Sequence, residues 1–495
     1  MALLSRRKLL QSAATTLAAG ATGLALPNTG FANQVSIAPK PLVIPPALYP
    51  RDEAGVKVYD LTMQNGETEI VDGYQTKTSG INGSFLGPTL RMRDGDQVRI
   101  NVNNQLGEAS TLHWHGMHLP ASQDGGPHQV IKPGSTWSPQ FQVRQKATSL
   151  WYHPHLMGKT GEHVWRGMAG MIYIEDQETD ALELPQNYGA DDVPLVLQDR
   201  WFTGDGQLQY ALSMHSRMMG MSGNFPLANG TLAAFFEAKT QRLRLRLLNG
   251  SNASTYNLAL SNGQPLQQIA SDGGLLEQPV EVDLLTLSPG ERAEVIVDLE
   301  AGKRVSLVNI GLSRGNMMSG ENNNAPAFTF LEIRPAKQLQ ASAAVPTQLT
   351  TIERLRPEDA VQAREFDLEM RMGMGMMSMG SSNHSHSING KVMDMKRIDE
   401  TVQMGDTEIW LLRNVSMMPH PFHMHDVQFQ ILDRNGKAPP ENERGRKDVV
   451  LVNPEEEVRI IMKFEHYRDD KYPFMYHCHI LEHEDAGMMG QFLVV

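Results

Sequence analysis

The sequence predicts an all-β protein made of several β-sandwich domains, and three observations predict it. Short runs such as Gln97-Val98-Arg99-Ile100-Asn101-Val102 and Arg242-Leu243-Arg244-Leu245-Arg246-Leu247 alternate side chains with the period of a strand. Clusters of Gly, Pro, Asn and Asp punctuate such runs along the chain, as turns between short strands require. A segment that opens on Asn-Gly recurs three times at long spacing, and no long amphipathic helix interrupts the pattern. Strands that each bury one face must pack sheet against sheet, so sandwiches are the natural architecture.

Residues 1–32 read as an export signal. Ser5-Arg6-Arg7-Lys8-Leu9-Leu10 is a twin-arginine motif, an Ala-rich apolar run follows to Leu26, and Gly30-Phe31-Ala32 supplies a small-x-small cleavage pattern. The expectation is export by the twin-arginine route to the periplasm, with a mature start near Asn33. The remaining chain, at ~100–200 residues per domain, corresponds to about three domains. A formal net charge of −12 argues against nucleic acid as a partner. No later apolar run is long enough to span a bilayer. The single cysteine permits no internal disulfide, and a lone thiol in an oxidising compartment invites oxidation unless it is buried or ligated.

The repeats set the domain plan. Ile81-Asn82-Gly83 and Ile388-Asn389-Gly390 each stand 31 residues, Asn to His, before a histidine, His113 and His420. Ala228-Asn229-Gly230 opens a third copy, but 31 residues beyond Asn229 lies Leu260, in a stretch without histidine. The outer copies also close alike. Tyr152-His153-Pro154-His155 parallels Tyr476-His477-Cys478-His479, and Gly167-Met168-Ala169-Gly170 parallels Gly487-Met488-Met489-Gly490. The expected domains are 33–185, 186–345 and 346–495, with metal chemistry in the outer two and a middle domain that acts as a spacer.

The chemistry concentrates in Tyr476 to Met488, which holds that cysteine. It reads as a strand running into a loop. On a strand, His477 and His479 share one face while Cys478 points to the other. His483 follows Cys478 by five residues and Met488 by ten. A thiolate, two imidazoles and a weak thioether make a blue-copper electron-transfer site. One histidine of that set must come from elsewhere, and the His-x-His pair belongs to a second centre one peptide unit away. His-x-His recurs at 113/115, 153/155, 423/425 and 477/479, two pairs from each outer domain. Eight imidazoles suit three metal ions shared two, three and three, at an interface between those domains. His420, three residues before His423, supplies the missing blue-copper ligand. In the first copy Pro154 stands where Cys478 stands in the last, so that copy builds no blue site. His384-Ser385-His386 reads as a solvated, copper-collecting segment. His118, His128, His163, His215 and His466 read as ordinary loop or core histidines.

These motifs resemble those of the multicopper oxidases. The family's four signatures stand here as His113-Trp114-His115-Gly116, His153-Pro154-His155, His420-Pro421-Phe422-His423-Met424-His425, and His477-Cys478-His479 through His483 to Met488. The resemblance spans the whole mature chain and is closest to the periplasmic cuprous oxidases. It implies three cupredoxin-like Greek-key β-sandwiches and four copper ions. The implied type 1 ligands are His420, Cys478, His483 and Met488. Those of type 2 are His113 and His423, and those of the type 3 pair are His115, His153, His155, His425, His477 and His479. Asp124 and Glu484 resemble the family's acids that supply protons for O2 reduction.

The substrate reading rests on thioethers. From Met370 to Met379 six of ten residues are methionine, interleaved with Gly, Ser and Arg, and soft thioethers favour Cu(I). The resemblance supports Cu(I) uptake over the type 1 site, lined by Met418 and Met370, within a Met-rich segment 370–395. The chain departs from the cuprous oxidases in lacking acids there: Ser416 stands four before His420, and no Asp lies beside Met370. The resulting expectation is a monomeric oxidase of Cu(I), and secondarily of phenols, that reduces O2 and serves copper tolerance. A general laccase and a non-catalytic copper-binding protein are the alternatives. A two-domain nitrite reductase is disfavoured by the three repeats.

Overall fold

The computed structural model describes residues 37–311, 327–370 and 386–495. The export signal, His384 and the methionine run beyond Met370 lie outside them. The described chain forms six sheets of five to seven strands, which face one another in pairs as three sandwiches. Each sandwich has its own core. Leu90, Ile100, Val102, Leu150 and Ile172 belong to the first. Leu195, Leu245, Leu247, Val295 and Leu307 belong to the second, and Trp410, Leu412, Phe422, Ile460 and Phe492 to the third. At roughly 1.5–3 kcal/mol for each such side chain removed from water, these cores drive the sheets together. Among the described residues no helix is long and apolar enough to cross a membrane.

The repeat read from sequence is a repeat of structure. Asn82, Asn229 and Asn389 all adopt positive φ, at 55°, 49° and 53°. Asparagine tolerates that left-handed conformation because its short amide bonds locally. Each amide oxygen accepts from a backbone N–H, of Thr62, Val196 and Asp367 respectively, at 2.7–2.8 Å. Each amide nitrogen donates to the carbonyl two residues earlier in the same neighbouring strand, Asp60, Pro194 and Glu365. The tyrosines of the outer copies repeat as well. Tyr152 pairs with Gly170 and Tyr476 with Gly490, and a Cβ on either glycine would strike the tyrosine ring.

Four strands carry the histidines: β1 (His113–His115), β2 (Thr148–His153), β3 (His420–Met424) and β4 (Asp469–Cys478). β1 pairs antiparallel with β2, placing His113 opposite His153, and β3 pairs with β4, placing His423 opposite His477. Three short helices complete the frame: α1 (Thr160–Trp165), α2 (Met214–Met219) and α3 (Leu481–Asp485). The stretch after Cys478 therefore runs into a helix, not the expected loop. That helix is held by all three sandwiches. Asp485 accepts from the N–H groups of Thr160 and Gly161 at 2.9 and 2.8 Å, and Glu482 accepts from Asn252 and from the Met221 N–H at 2.8 Å.

The Arg-Leu alternation of Arg242–Asn249 marks a strand, but both of its faces are buried. Arg246 bonds Asp192 through two nitrogens at 2.7 and 2.8 Å, and Arg244 bonds Glu294. Arg246 also reaches Ser149 of β2 at 3.2 Å, so this face is an interface between the first and second sandwiches.

Candidate metal centre

The eight paired histidines meet at one place. His113, His115, His153 and His155 face His423, His425, His477 and His479 across the contact of the first and third sandwiches. His115 stacks on His423 with ring centroids 3.7 Å apart, and His113 on His425 at 4.0 Å. All eight are buried. Burial first, then repulsion from neighbouring imidazoles, holds His115, His155, His423 and His477 neutral, the form that can bind a metal.

The hydrogen bonds fix which nitrogen is available. Nδ1 of His113, His153, His423 and His477 donates to the backbone carbonyl of Asp124, Pro154, Asp448 and Cys478, at 2.8–3.1 Å. A carbonyl can only accept, so the proton sits on Nδ1 and Nε2 keeps its lone pair. The Nε2 atoms of His113, His153 and His423 have no hydrogen-bond partner among the described residues. His155, His425 and His477 bring their Nε2 atoms together, His477 lying 3.1 Å from His155 and 3.3 Å from His425. His425 is likewise protonated at Nδ1, which lies 2.7 Å from Asp124 Oδ2. Lone pairs facing one another in a dry interior repel unless a cation sits between them. His115 is turned the other way: its Nε2 reaches Asp448 Oδ1 at 3.1 Å, leaving Nδ1 unpartnered.

A second cluster lies on the far side of Cys478. Its sulfur is 3.4 Å from His420 Nδ1 and 3.6 Å from His483 Nδ1, and all three residues are buried. His483 Nε2 donates to the Met218 carbonyl of α2 at 2.9 Å, so Nδ1 presents a lone pair to the sulfur. His420 Nε2 lies 2.8 Å from Ser416 Oγ, whose own proton has the Asn414 side-chain oxygen to bond at 2.8 Å. The serine standing where an acid was expected therefore holds a candidate ligand in orientation. Burial pushes the Cys478 thiol well above its ordinary range, and only a bound cation would make it a thiolate there. Met488 is buried in the same core as Cys478, and its carbonyl accepts from the Cys478 N–H at 3.1 Å. A buried thiol, neutral imidazoles and a nearby thioether are the donor set that suits copper, and the orphaned nitrogens fit such ions.

The two candidate acids flank the histidine cluster. Asp124 lies between His425 and His113, with Oδ1 3.3 Å from His113 Nδ1. Burial acts to raise its pKa, but the imidazoles His425 and His113 outweigh it and hold the carboxyl well below its usual range. Glu484 stands on α3 with Oε1 3.2 Å from His155 Nδ1 and Oε2 3.5 Å from His477 Nδ1. Burial, reinforced by Asp485, pushes it well above its usual range.

Several expectations change here. The middle sandwich is not a spacer. Its Arg292 bonds Asp448, the partner of His115 and His423, and its Gly290 lies so close to His479 that a Cβ would sit 2.9 Å from the ring. Gly290 also has φ +85°, which side chains rarely adopt. His386 is not solvated. It is buried and stacks on His483 with centroids 3.8 Å apart, because the strand His386–Ile388 pairs with Gln362–Met370 and sets His386 opposite Met370. Met418 is buried and Met370 half-buried in the core that holds Cys478. His118 and His466 pair with each other, ring centroids 4.1 Å apart.

Asp448, Arg292, Gly290 and Asp426 were not legible as site residues. Asp426 directly follows His425, has φ 68° and is fully buried, and burial with the neighbouring Asp124 holds it protonated. Its place beside a histidine motif was the one available signal.

Three packed sandwiches with a histidine cluster at their junction and a thiol–imidazole cluster beside it define a copper oxidase. Sequence models of the multicopper oxidase family match residues 62–179, 173–329 and 365–495. The multicopper oxidase mco of Staphylococcus haemolyticus is 37% identical over 450 residues, 90% of each chain. The cell division protein FtsP of Photorhabdus laumondii is 34% identical over 498 residues, 99% of this chain and 98% of its own. The solved structure of the laccase-like multicopper oxidase CueO from Ochrobactrum sp. superposes with a TM-score of 0.83 at 37% identity, covering 92% of this chain and all of that one. The chain belongs to the multicopper oxidases, copper-dependent oxidoreductases that use O2 as acceptor.

Proposed function

We propose that this enzyme oxidises Cu(I), and more slowly phenols, for copper tolerance in the periplasm. The observation that carries the reading is the pair of donor clusters joined through consecutive residues, His477-Cys478-His479, with the thioethers of Met418 and Met370 in the core that holds Cys478. His420, Cys478, His483 and Met488 would hold a type 1 copper. His113 and His423 would hold type 2, and His115, His153, His155, His425, His477 and His479 the type 3 pair. Copper in these sites supplies one-electron chemistry, and four electrons with four protons convert one O2 into two waters.

The chain's own residues do the rest. Cys478 is covalently continuous with His477 and His479, a short bonded path between the clusters. Asp124 Oδ2 accepts a hydrogen bond from the His425 Nδ1–H, and Oδ1, 3.3 Å from His113 Nδ1, is left to meet a water or a proton. Glu484, kept neutral by burial, holds a proton at a carboxyl oxygen beside His155. The packed first and third sandwiches exclude bulk water from this cluster. In the core beside Cys478, Met418 and Met370 offer thioethers, and His386 stands in ring contact with His483 where the family's acids are absent. His386 is thus the residue of this chain best placed to serve in their stead.

The twin-arginine motif of residues 5–10 supports export, and a monomer needs no second chain to complete either cluster. The non-catalytic scaffold alternative gives no reason for orphaned imidazole nitrogens to converge in the interior, and neither does a part in cell division, which the FtsP relative's name gives for that protein. A laccase acting mainly on phenols is the second reading, favoured by the CueO neighbour, whose described oxidase activity is towards lignin model compounds. Oxygen uptake by the copper-loaded enzyme decides between them. Cu(I) should support the faster uptake at low concentration. Phenol-driven uptake without Cu(I)-driven uptake would leave the laccase reading, and none with either would leave the scaffold.

A further inference from the structure

A cleft between the first and third sandwiches has no role in the copper chemistry. It encloses about 220 Å³ and is lined by His118, Arg144, Gln145 and Lys146 from the first, and by Glu353, Gln428, Arg446, Lys463, Glu465 and His466 among others from the third. That space is many times the roughly 10–15 Å³ one water needs. The chain as a whole carries a charge of −12, yet this cleft gathers four cationic side chains against two carboxylates.

Ion pairing accounts for two of the four cations and leaves Arg144 and Arg446 facing one carboxylate, Glu353, that has no ion-pair partner among the described residues. Lys463 engages Glu465 at 2.6 Å, and Lys146 engages Glu178 at 2.8 Å. Among the described residues neither Arg144 nor Arg446 has a carboxylate within ion-pair distance. Arg144 rests on the Tyr467 ring and donates to Gln142. Arg446 is half-buried, and the desolvation lowers its pKa although Glu353 opposes the shift. A guanidinium stripped of part of its water and given no acceptor has unmet hydrogen-bonding capacity. Gln428 adds to it, since its buried amide nitrogen has no hydrogen-bond partner among the described residues either. Donors therefore exceed acceptors, the reverse of what a cation site would present.

We propose that this cleft binds a small oxyanion, inorganic or carboxylate, held by Arg446 and Arg144 with Gln428 as a neutral donor. The planar guanidinium matches such groups through paired N–H bonds. The site would also fasten the interface that assembles the histidine cluster. His118, a buried member of the lining, donates through Nδ1 to the Asp426 carbonyl next to His425, so an anion here bridges the two sandwiches close to the cluster.

The test uses the copper-loaded enzyme, inorganic phosphate and, in a separate arm, benzoate, with ionic strength held constant by sodium chloride. Calorimetric titration should show saturable binding, and the melting temperature should rise with the anion. Arg446→Gln and Arg144→Gln should each weaken binding by about tenfold or more, as loss of a charged hydrogen bond implies. Lys437→Gln, at an exposed turn and not in the lining of the cleft, should bind as the parent does. Stronger binding of phosphate or of benzoate identifies the source of the anion. Absence of saturable binding in both arms, or equal binding by parent and Arg446→Gln, overturns the proposal. Melting of each variant without anion checks that it is folded.

Discussion

Arg292 of the second sandwich grips Asp448 of the third with both terminal nitrogens, each 2.6 Å from a carboxylate oxygen, and all of it is buried. Asp448 in turn meets His115 Nε2 through its side chain and His423 Nδ1 through its carbonyl. A domain without a candidate ligand thus orients two histidines. Arg292→Met strands a buried carboxylate and should cost about 3–5 kcal/mol of stability. The double variant Arg292→Met, Asp448→Leu should recover much of that loss, because no charge is left unpaired. It should not recover copper, since loss of such supporting bonds weakens metal affinity roughly 10–100-fold. Melting curves and copper per chain separate the two effects, and full copper in the double variant would show that Asp448 is merely structural.

Cys478→Ser tests the bonded path between the clusters. The intense thiolate-to-copper absorption should vanish and nearly all turnover with it, while the eight-histidine cluster keeps its donors. Copper analysis should find part of the metal retained. Unchanged turnover would refute the assignment.

Asp124→Asn and Glu484→Gln test the protons. An amide oxygen can still accept from His425, so Asp124→Asn should preserve the local geometry. Both variants should remain blue and fully loaded but reoxidise slowly after reduction, measured by stopped-flow with O2. Loss of copper instead would make these carboxyls supports of the ligands and not proton carriers.

How much of this was legible is clearest in particular residues. The alternating runs, the Asn-Gly repeat and the His-x-His pairs are local signals, and each survives in three dimensions. Asn229 even keeps the hydrogen bonds of its counterparts in a copy that has lost its histidines. Residues acting across sandwiches were not legible. Arg292 and Asp448 lie 156 positions apart and carry no motif. Gly290 matters only because His479 packs against it. His386 looked solvated because its neighbours in sequence are Ser and Gly, whereas strand pairing carries it to the interior.

The pH dependence of stability should reveal His163. Burial holds its pKa down to about 4, with Nδ1 bonded to Ser110, against 6.5 for an exposed imidazole. The unfolded chain takes up a proton that the fold excludes, so stability is present above 6.5 and is lost as pH falls towards 4. The size is about 3 kcal/mol at 1.36 kcal/mol per pKa unit. A glutamine at this position cannot titrate. The gap in melting temperature between parent and His163→Gln should therefore move against the parent on acidification, and a gap constant from pH 7 to 4.5 would contradict the assignment.

The methionine run offers the sharpest test of the Cu(I) reading. Met370 and His386, which flank the methionine run, are opposed on adjacent strands, and His386 stacks on His483. Its Gly and Ser content suits no packed core, and its thioethers suit Cu(I). Removal of residues 372–385 should weaken Cu(I) oxidation at low copper and leave phenol oxidation unchanged or raised. The deletion must stop short of His386, whose ring packs on His483 and whose loss would disturb the thiol–imidazole cluster itself. His386→Phe makes the complementary change, keeping a ring for the stack but removing its nitrogens. It should retain the blue absorption and phenol turnover while lowering Cu(I) turnover. If both changes reduce the two activities in equal proportion, the segment and His386 are structural. If Cu(I) kinetics are untouched by either, Cu(I) reaches the enzyme by another route and a general laccase is the better reading.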